Sequence, residues 1–173
     1  MEKIKTTKYF GDVELNYEVS DSISYVHIHT SYKDKKVNIH IEDFDLYEDK
    51  LELIWECIDK YMEINEIAKK AIVNNYLKKN KVVKEFIEDH FKYKRYGEAL
   101  VKHYGVKNIN ELDIKTFVEK MDYPDVSFTI EDGIITIIVE YYIFEWALET
   151  TMYLLVLMDE KLNIKKLERD YGS

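Results

Sequence analysis

The run from Asp125 to Glu168 constrains the fold more than any other part of the chain. It reads Val126-Ser-Phe-Thr-Ile-Glu131, then Asp132-Gly133, then an apolar stretch from Ile134 to Phe144; after a break come Thr151 to Met158 and Ile164 to Glu168. Strand-length runs bounded by turn residues predict a β-meander whose middle members are apolar on both faces. Such a strand cannot meet water on either side, so other elements must cover it. Asp132-Gly133 is the strongest hairpin signal in the chain. A tight turn there sets Ile130 opposite Ile135, Phe128 opposite Ile137 and Val126 opposite Val139 on one face. Ile134, Ile138 and Tyr142 point the other way, toward a cover or a partner. Asp159 to Asn163 predicts a second hairpin, its outer strand Ile164 to Glu168 marked by lysine like a protected edge.

The preceding chain supplies the covers. Val13, Leu15, Tyr17 and Val19 alternate with Glu14, Asn16 and Glu18, which predicts one strand after a turn at Gly11. Ile23 to Ser31 and Lys36 to Glu42 read as a hairpin. A two-residue turn at Asp34-Lys35, or a four-residue loop from Lys33 to Lys36, pairs Tyr32 with Val37, Thr30 with Ile39 and Ile28 with Ile41. The period then becomes helical. Leu51, Ile54, Trp55, Ile58 and Tyr61 form one stripe, and Ile64 to Tyr76 continues it after a break expected near Glu63-Ile64-Asn65. Asn80 is placed to cap a helix bearing Val83, Phe86, Ile87, His90 and Phe91. Gly97 and Gly105 bracket a short helical piece, Asp113 caps another, and Pro124 returns the chain to strands. Runs of strands, then helices, then strands predict an α+β fold. Its mainly antiparallel sheet draws on N-terminal strands (about 9–43) and C-terminal strands (about 125–169), with helices (about 48–121) packed on one face of a single domain, residues 1–173.

Charge and cysteine usage narrow the function classes. Twenty-five Lys and Arg against 34 Asp and Glu give a formal charge of -9, which disfavours nucleic acid and anionic membrane and suits a basic protein partner. Cys57 stands alone on a helical stripe, so no internal disulfide forms, and the opening residues lack the apolar core of a secretory signal. The apolar runs are too short to span a bilayer. A soluble, cytoplasmic protein is the expectation.

Motifs for cofactor chemistry are missing. Five separated glycines leave no phosphate loop or dinucleotide fingerprint, and neither a G-x-S-x-G elbow, an H-E-x-x-H nor a C-x-x-C is present. No cofactor or catalytic residue is assigned. In the expected hairpin, His27 and His29 share an outward face with His40 opposite His29 and Glu42 opposite His27, a donor set that suits a transition metal such as zinc. The bland alternative is a solvated sheet face. A three-residue loop would disperse the cluster. His90 reads as a hydrogen-bonded core histidine. Glu140, Glu145 and Glu149 flank Trp146 and are weak candidates for an acid/base pair. The acidic connector, with Glu42, Asp43, Asp45, Glu48 and Asp49, reads either as a solvated turn and helix start or as a docking patch for a basic protein.

Several short motifs together resemble the Domain of Unknown Function two-thousand-and-four family of uncharacterised bacterial proteins. They are Tyr9-Phe-Gly, Val82-Val-Lys-Glu-Phe-Ile-Glu-Asp-His90, Thr116-Phe-Val-Glu-Lys-Met, and the ending Thr151-Met-Tyr-Leu-Leu-Val-Leu-Met-Asp159 with Leu162-Asn-Ile. Thr150-Thr151 departs from the charged or polar residue such families carry before the last apolar strand, and the Trp146 segment has no counterpart. The resemblance implies an α+β domain with no established activity, cofactor or catalytic residue. Small acidic domains of this kind also look like immunity proteins of bacterial toxin systems, an analogy of class. The expected function is a non-enzymatic protein-binding module, an immunity-type inhibitor of a basic toxin being its sharpest form. The alternatives are a metal-dependent hydrolase using His27, His29, His40 and Glu42, or a homodimer through the apolar outer face of the C-terminal strands.

Overall fold

The computed structural model describes residues 4–20, 23–43, 50–92, 94–131, 133–143 and 152–171, the side chains of 20, 94, 95 and 131 excepted. The chain opens with β1 (Ile4–Thr7), β2 (Gly11–Glu14), β3 (Asn16–Ser20), β4 (Ile23–Tyr32) and β5 (Lys35–Glu42). Helices α1 (Leu51–Ile58), α2 (Tyr61–Leu77), α3 (Lys81–Lys92), α4 (Lys94–Tyr104) and α5 (Ile114–Glu119) follow, with a 3-10 turn at Ile109–Glu111. The chain ends with β6 (Asp125–Glu131), β7 (Ile134–Tyr141), β8 (Met152–Asp159) and β9 (Ile164–Tyr171). The fold is α+β, with a large, mostly antiparallel sheet.

Strands β3 to β9 lie side by side in sequence order. Every neighbouring pair is antiparallel except β5 and β6, which run parallel through Ile39–Val126, His40–Ser127 and Ile41–Phe128. Parallel neighbours cannot be joined by a tight turn; the chain must travel back along the sheet before the second strand begins. The helices are that return journey. They lie over one face, so the topological demand of one parallel pair also supplies the cover that the apolar C-terminal strands require.

The core forms between these layers. Val26, Ile28, Val37, Ile39, Ile41, Phe128, Ile137, Val139 and Val156 face inward against Ile54, Tyr61, Ile64, Ala68, Ile72, Phe86, Ile87 and Leu100. Burying one such aliphatic or aromatic side chain contributes about 1.5–3 kcal/mol. Polar groups inside are paired: Tyr141 donates its hydroxyl to Asn65 Oδ1 at 2.6 Å, and Tyr61 donates to the Pro124 carbonyl at 2.8 Å. Burial pushes both phenols up, so they remain donors. Arg169 on β9 bridges Glu85 and Asp89 of α3 at 2.7 and 2.8 Å, tying the last strand to the helical layer.

The β6–β7 pairing matches the Asp132-Gly133 register, Phe128 opposite Ile137 included, and Gly133 takes φ +76° as such turns require. The first hairpin does not match. Its turn is Lys33-Asp34, with φ 49° and 63°, so Ile28 pairs with Ile39 and Tyr32 with Lys35. The two-residue slip preserves the faces, because side chains alternate with period two, but it changes every cross-strand partner. The expected first strand is also two: β2 pairs with β1, while β3 joins the large sheet after Leu15. β1 carries too little alternation to be read as a strand. The helical break falls at Asp59-Lys60, ahead of the expected position, where Asp59 Oδ1 accepts the Lys8 N–H at 2.7 Å. Gly97 lies inside α4 rather than before it, whereas Gly105 closes that helix at φ +70°. Asn80 and Asp113 cap as expected, accepting from Val82 N and Lys115 N.

Candidate functional site

Covering one face of the sheet leaves the other face outward. On β4 and β5 it presents Tyr25, His27, His29, Asn38, His40 and Glu42; on β6 to β8 it presents Asp125, Ser127, Ile138, Glu140, Tyr153, Leu155 and Leu157. Most of these are half-buried or exposed, in contrast to their buried inward neighbours.

The corrected register sets His40 opposite His27, and the parallel pairing sets Ser127 beside His40. His27 Nδ1 and His40 Nδ1 lie 2.7 Å apart with rings nearly perpendicular, so one imidazole donates to the other's lone pair. His29 lies parallel to His27, ring centres 6.3 Å apart, but turns its Nδ1 to Asn38 Oδ1 at 2.9 Å. Asn38 then donates from its backbone N and from Nδ2 to the two oxygens of Asp125, at 2.6 and 2.9 Å. Tyr142 donates to the same carboxylate at 3.1 Å. Ser127 donates its hydroxyl to Glu140 Oε1 at 2.6 Å. The bonds from His29 through Asn38 and Asp125 to Tyr142 cross the parallel joint, with His27–His40 and Ser127–Glu140 as separate pairs on the same face.

Electrostatics follow from partial burial and like charge. Burial and the neighbouring His27 hold His40 below the usual imidazole range, against the pull of Asp125. Burial pushes the Glu140 carboxyl up; Ser127 opposes this, while Asp125, directly opposite in the register, and Asp170 and Glu42 reinforce it. Burial, then Asp43, raises Glu42.

The predicted metal set is therefore only partly assembled. His27 and His40 meet, His29 is engaged by Asn38, and Glu42 lies opposite Tyr25 rather than His27. Among the described residues, no group of three or more His, Cys, Asp or Glu is arranged to hold a metal ion. Of the docking residues, Glu42 and Asp43 sit at the end of β5; Asp45, Glu48 and Asp49 lie outside the described residues, as do Glu145, Trp146 and Glu149. His90 is buried and donates Nδ1–H to the Phe86 carbonyl at 2.7 Å, and burial holds it neutral. Cys57 is buried on the helical stripe, its thiol pushed up to about 11, which suits packing rather than nucleophilic work. Asn38, Asp125 and Ser127 were not singled out by sequence, and Tyr142 only as an outward-facing residue. Their parity with the histidines was readable, but the β5–β6 adjacency that brings them together was not.

A cleft of about 550 Å³ between α2 and α5 is lined by Glu66, Lys69, Val73, Lys115, Val118 and Glu119. Lys69 donates to the Met121 carbonyl at 3.2 Å, closing the end of α5. Among the described residues no helix is long and apolar enough to cross a membrane. Comparison with protein-family models, curated proteins and solved structures returned no match, so the family resemblance rests on its short motifs alone.

Proposed function

We propose that the protein is a non-catalytic binding module for a basic protein, an immunity-type inhibitor of a basic toxin being the specific form. The observation that carries this reading is the outward sheet face. Glu18, Glu42, Asp125, Glu140, Glu168 and Asp170 stand on it beside Tyr153, Leu155 and Leu157, with Lys36 and Lys166 as its lysines among the described residues. Carboxylates next to aromatic and aliphatic area are what a basic partner with apolar anchors needs, and acidic charge also speeds its approach. The net charge of -9 and the missing cofactor motifs support the same reading.

Affinity capture at low salt followed by neutralisation of the face tests it. A basic protein should be recovered, and Glu42→Gln with Glu140→Gln and Asp170→Asn should weaken its binding at least about tenfold. Recovery of no partner, or of one indifferent to those changes and to neutralising Asp43, Asp45, Glu48 and Asp49, would overturn it. The second reading, a metal-dependent hydrolase, keeps only the His27–His40 contact of its expected donor set. That reading requires stoichiometric zinc, iron or manganese in untagged protein, and metal analysis finding none removes it.

A further inference from the structure

The cleft between α2 and α5 combines apolar lining with charges that do not meet. Val118 is buried and Val73 half-buried, while Lys70 and Asn74 on α2 and Lys115 on α5 are exposed. Lysine stems extend apolar surface toward the rim and leave their ammoniums in water. A volume of about 550 Å³ suits a small organic molecule. Glu66–Lys70 and Lys115–Glu119 have the four-residue spacing that brings Lys81 to Glu85 and Lys84 to Glu88 in α3, at 3.5 and 3.6 Å. Neither cleft pair closes to that distance, and among the described residues no carboxylate is ion-paired to Lys70 or Lys115. The two glutamates act on Lys69 instead. Burial holds its ammonium below the ordinary amine range, Glu66, Asp122 and Glu119 oppose that, and Nζ donates to the Met121 and Glu119 carbonyls at 3.2 and 3.5 Å. Asp122 is itself paired with Lys35 at 3.1 Å. Lys69 is thus engaged, and the Lys70 and Lys115 ammoniums with the Asn74 amide are the donors the cleft still offers.

We infer that this cleft binds a small aliphatic carboxylate, its head held by Lys70 and Lys115 and its hydrocarbon tail laid on Val73 and Val118. Charge-assisted hydrogen bonds from two helices suit one anionic head, and burying a short tail adds the hydrophobic share. Glu66 and Glu119 set the limit on charge: a dianion such as phosphate would meet them as like charges, so a monoanion fits better. A cationic head fits less well, because Lys69 already answers both glutamates. The cleft lies in the helical layer, away from the outward sheet face, so the inference stands apart from the basic-partner reading.

Titrating octanoate into the full chain while following backbone amide chemical shifts tests the inference. Octanol and octyltrimethylammonium serve as uncharged and cationic controls. Octanoate should shift amides of α2 and α5 saturably and bind at least about tenfold more tightly than octanol. Lys70→Gln combined with Lys115→Gln, both at exposed positions, should remove that advantage and leave octanol binding unchanged. Val73→Trp, which fills the cleft, should abolish binding of both while circular dichroism stays the same. The absence of a saturable shift, or shifts confined to the outward sheet face, overturns the inference. Octanoate binding that ignores the lysine changes overturns it as well, as does tighter binding of octyltrimethylammonium. Inorganic phosphate displacing octanoate at equal concentration overturns the choice of a tailed monoanion.

Discussion

Burial disfavours the charged form of both His90 and Glu140, so it weakens proton binding at the first and strengthens it at the second. His90 is held neutral below its ordinary range, so the unfolded chain binds its proton more readily than the native one. Its contribution is present above about pH 6.5 and is lost as pH falls below it toward the lower native value. Denaturant midpoints should therefore fall on acidification through pH 6, and the fall should be smaller in His90→Gln. Glu140 is raised, so its native carboxyl keeps its proton longer than the unfolded one. The cost of ionising it is absent below the ordinary carboxyl range, grows as pH rises toward the raised native value, and stays constant beyond. Glu140→Gln should thus stabilise the protein at pH 7 and lose that advantage near pH 4, compared by chemical denaturation at both pH values. Inside the core, Tyr141→Phe strands Asn65 Oδ1 without its 2.6 Å donor, an expected loss of about 1–3 kcal/mol in the same measurement.

At the scale of elements, turn chemistry decided where reading the sequence succeeded. Asp132-Gly133 declared its register because glycine reaches positive φ at little cost, and the strands on either side paired as their alternation required. Lys33-Asp34 adopts positive φ at both residues with side chains that give no such signal, so the turn was placed one residue too late and the register slipped by two. Helical stripes were legible because a 3.6-residue period leaves its mark in any sequence that buries one face, whereas the α1–α2 break depends on Asp59 meeting Lys8, a distant contact. Replacing Lys33-Asp34 by Asn-Gly should raise stability by about 0.5–1 kcal/mol, read as a higher thermal midpoint with unchanged spectrum. Gly105→Ala should lower it by about 1 kcal/mol from backbone strain alone, since an added Cβ there meets nothing within 4 Å.

For the molecule as a whole, the decisive joint is the short parallel pairing of β5 with β6. It was invisible in the sequence, because each hairpin satisfies its own alternation without naming its outer neighbour. The same gap hid the site: the histidines were read from one hairpin, while Asp125, Ser127 and Glu140 arrive from the other half of the chain. Asn38 clamps the joint through two bonds to Asp125. Asn38→Ala should raise amide exchange in β5 and β6 well above that in the β6–β7 hairpin; uniform acceleration would mean that the sheet opens as one unit. The clamp also has a bearing on synthesis. Asn38 leaves the ribosome 87 residues ahead of Asp125, so the β5 edge of the opening hairpin has no strand to pair with until most of the polypeptide has emerged. A nascent chain stalled before Asp125 should engage holdase chaperones that release it once the last four strands are out.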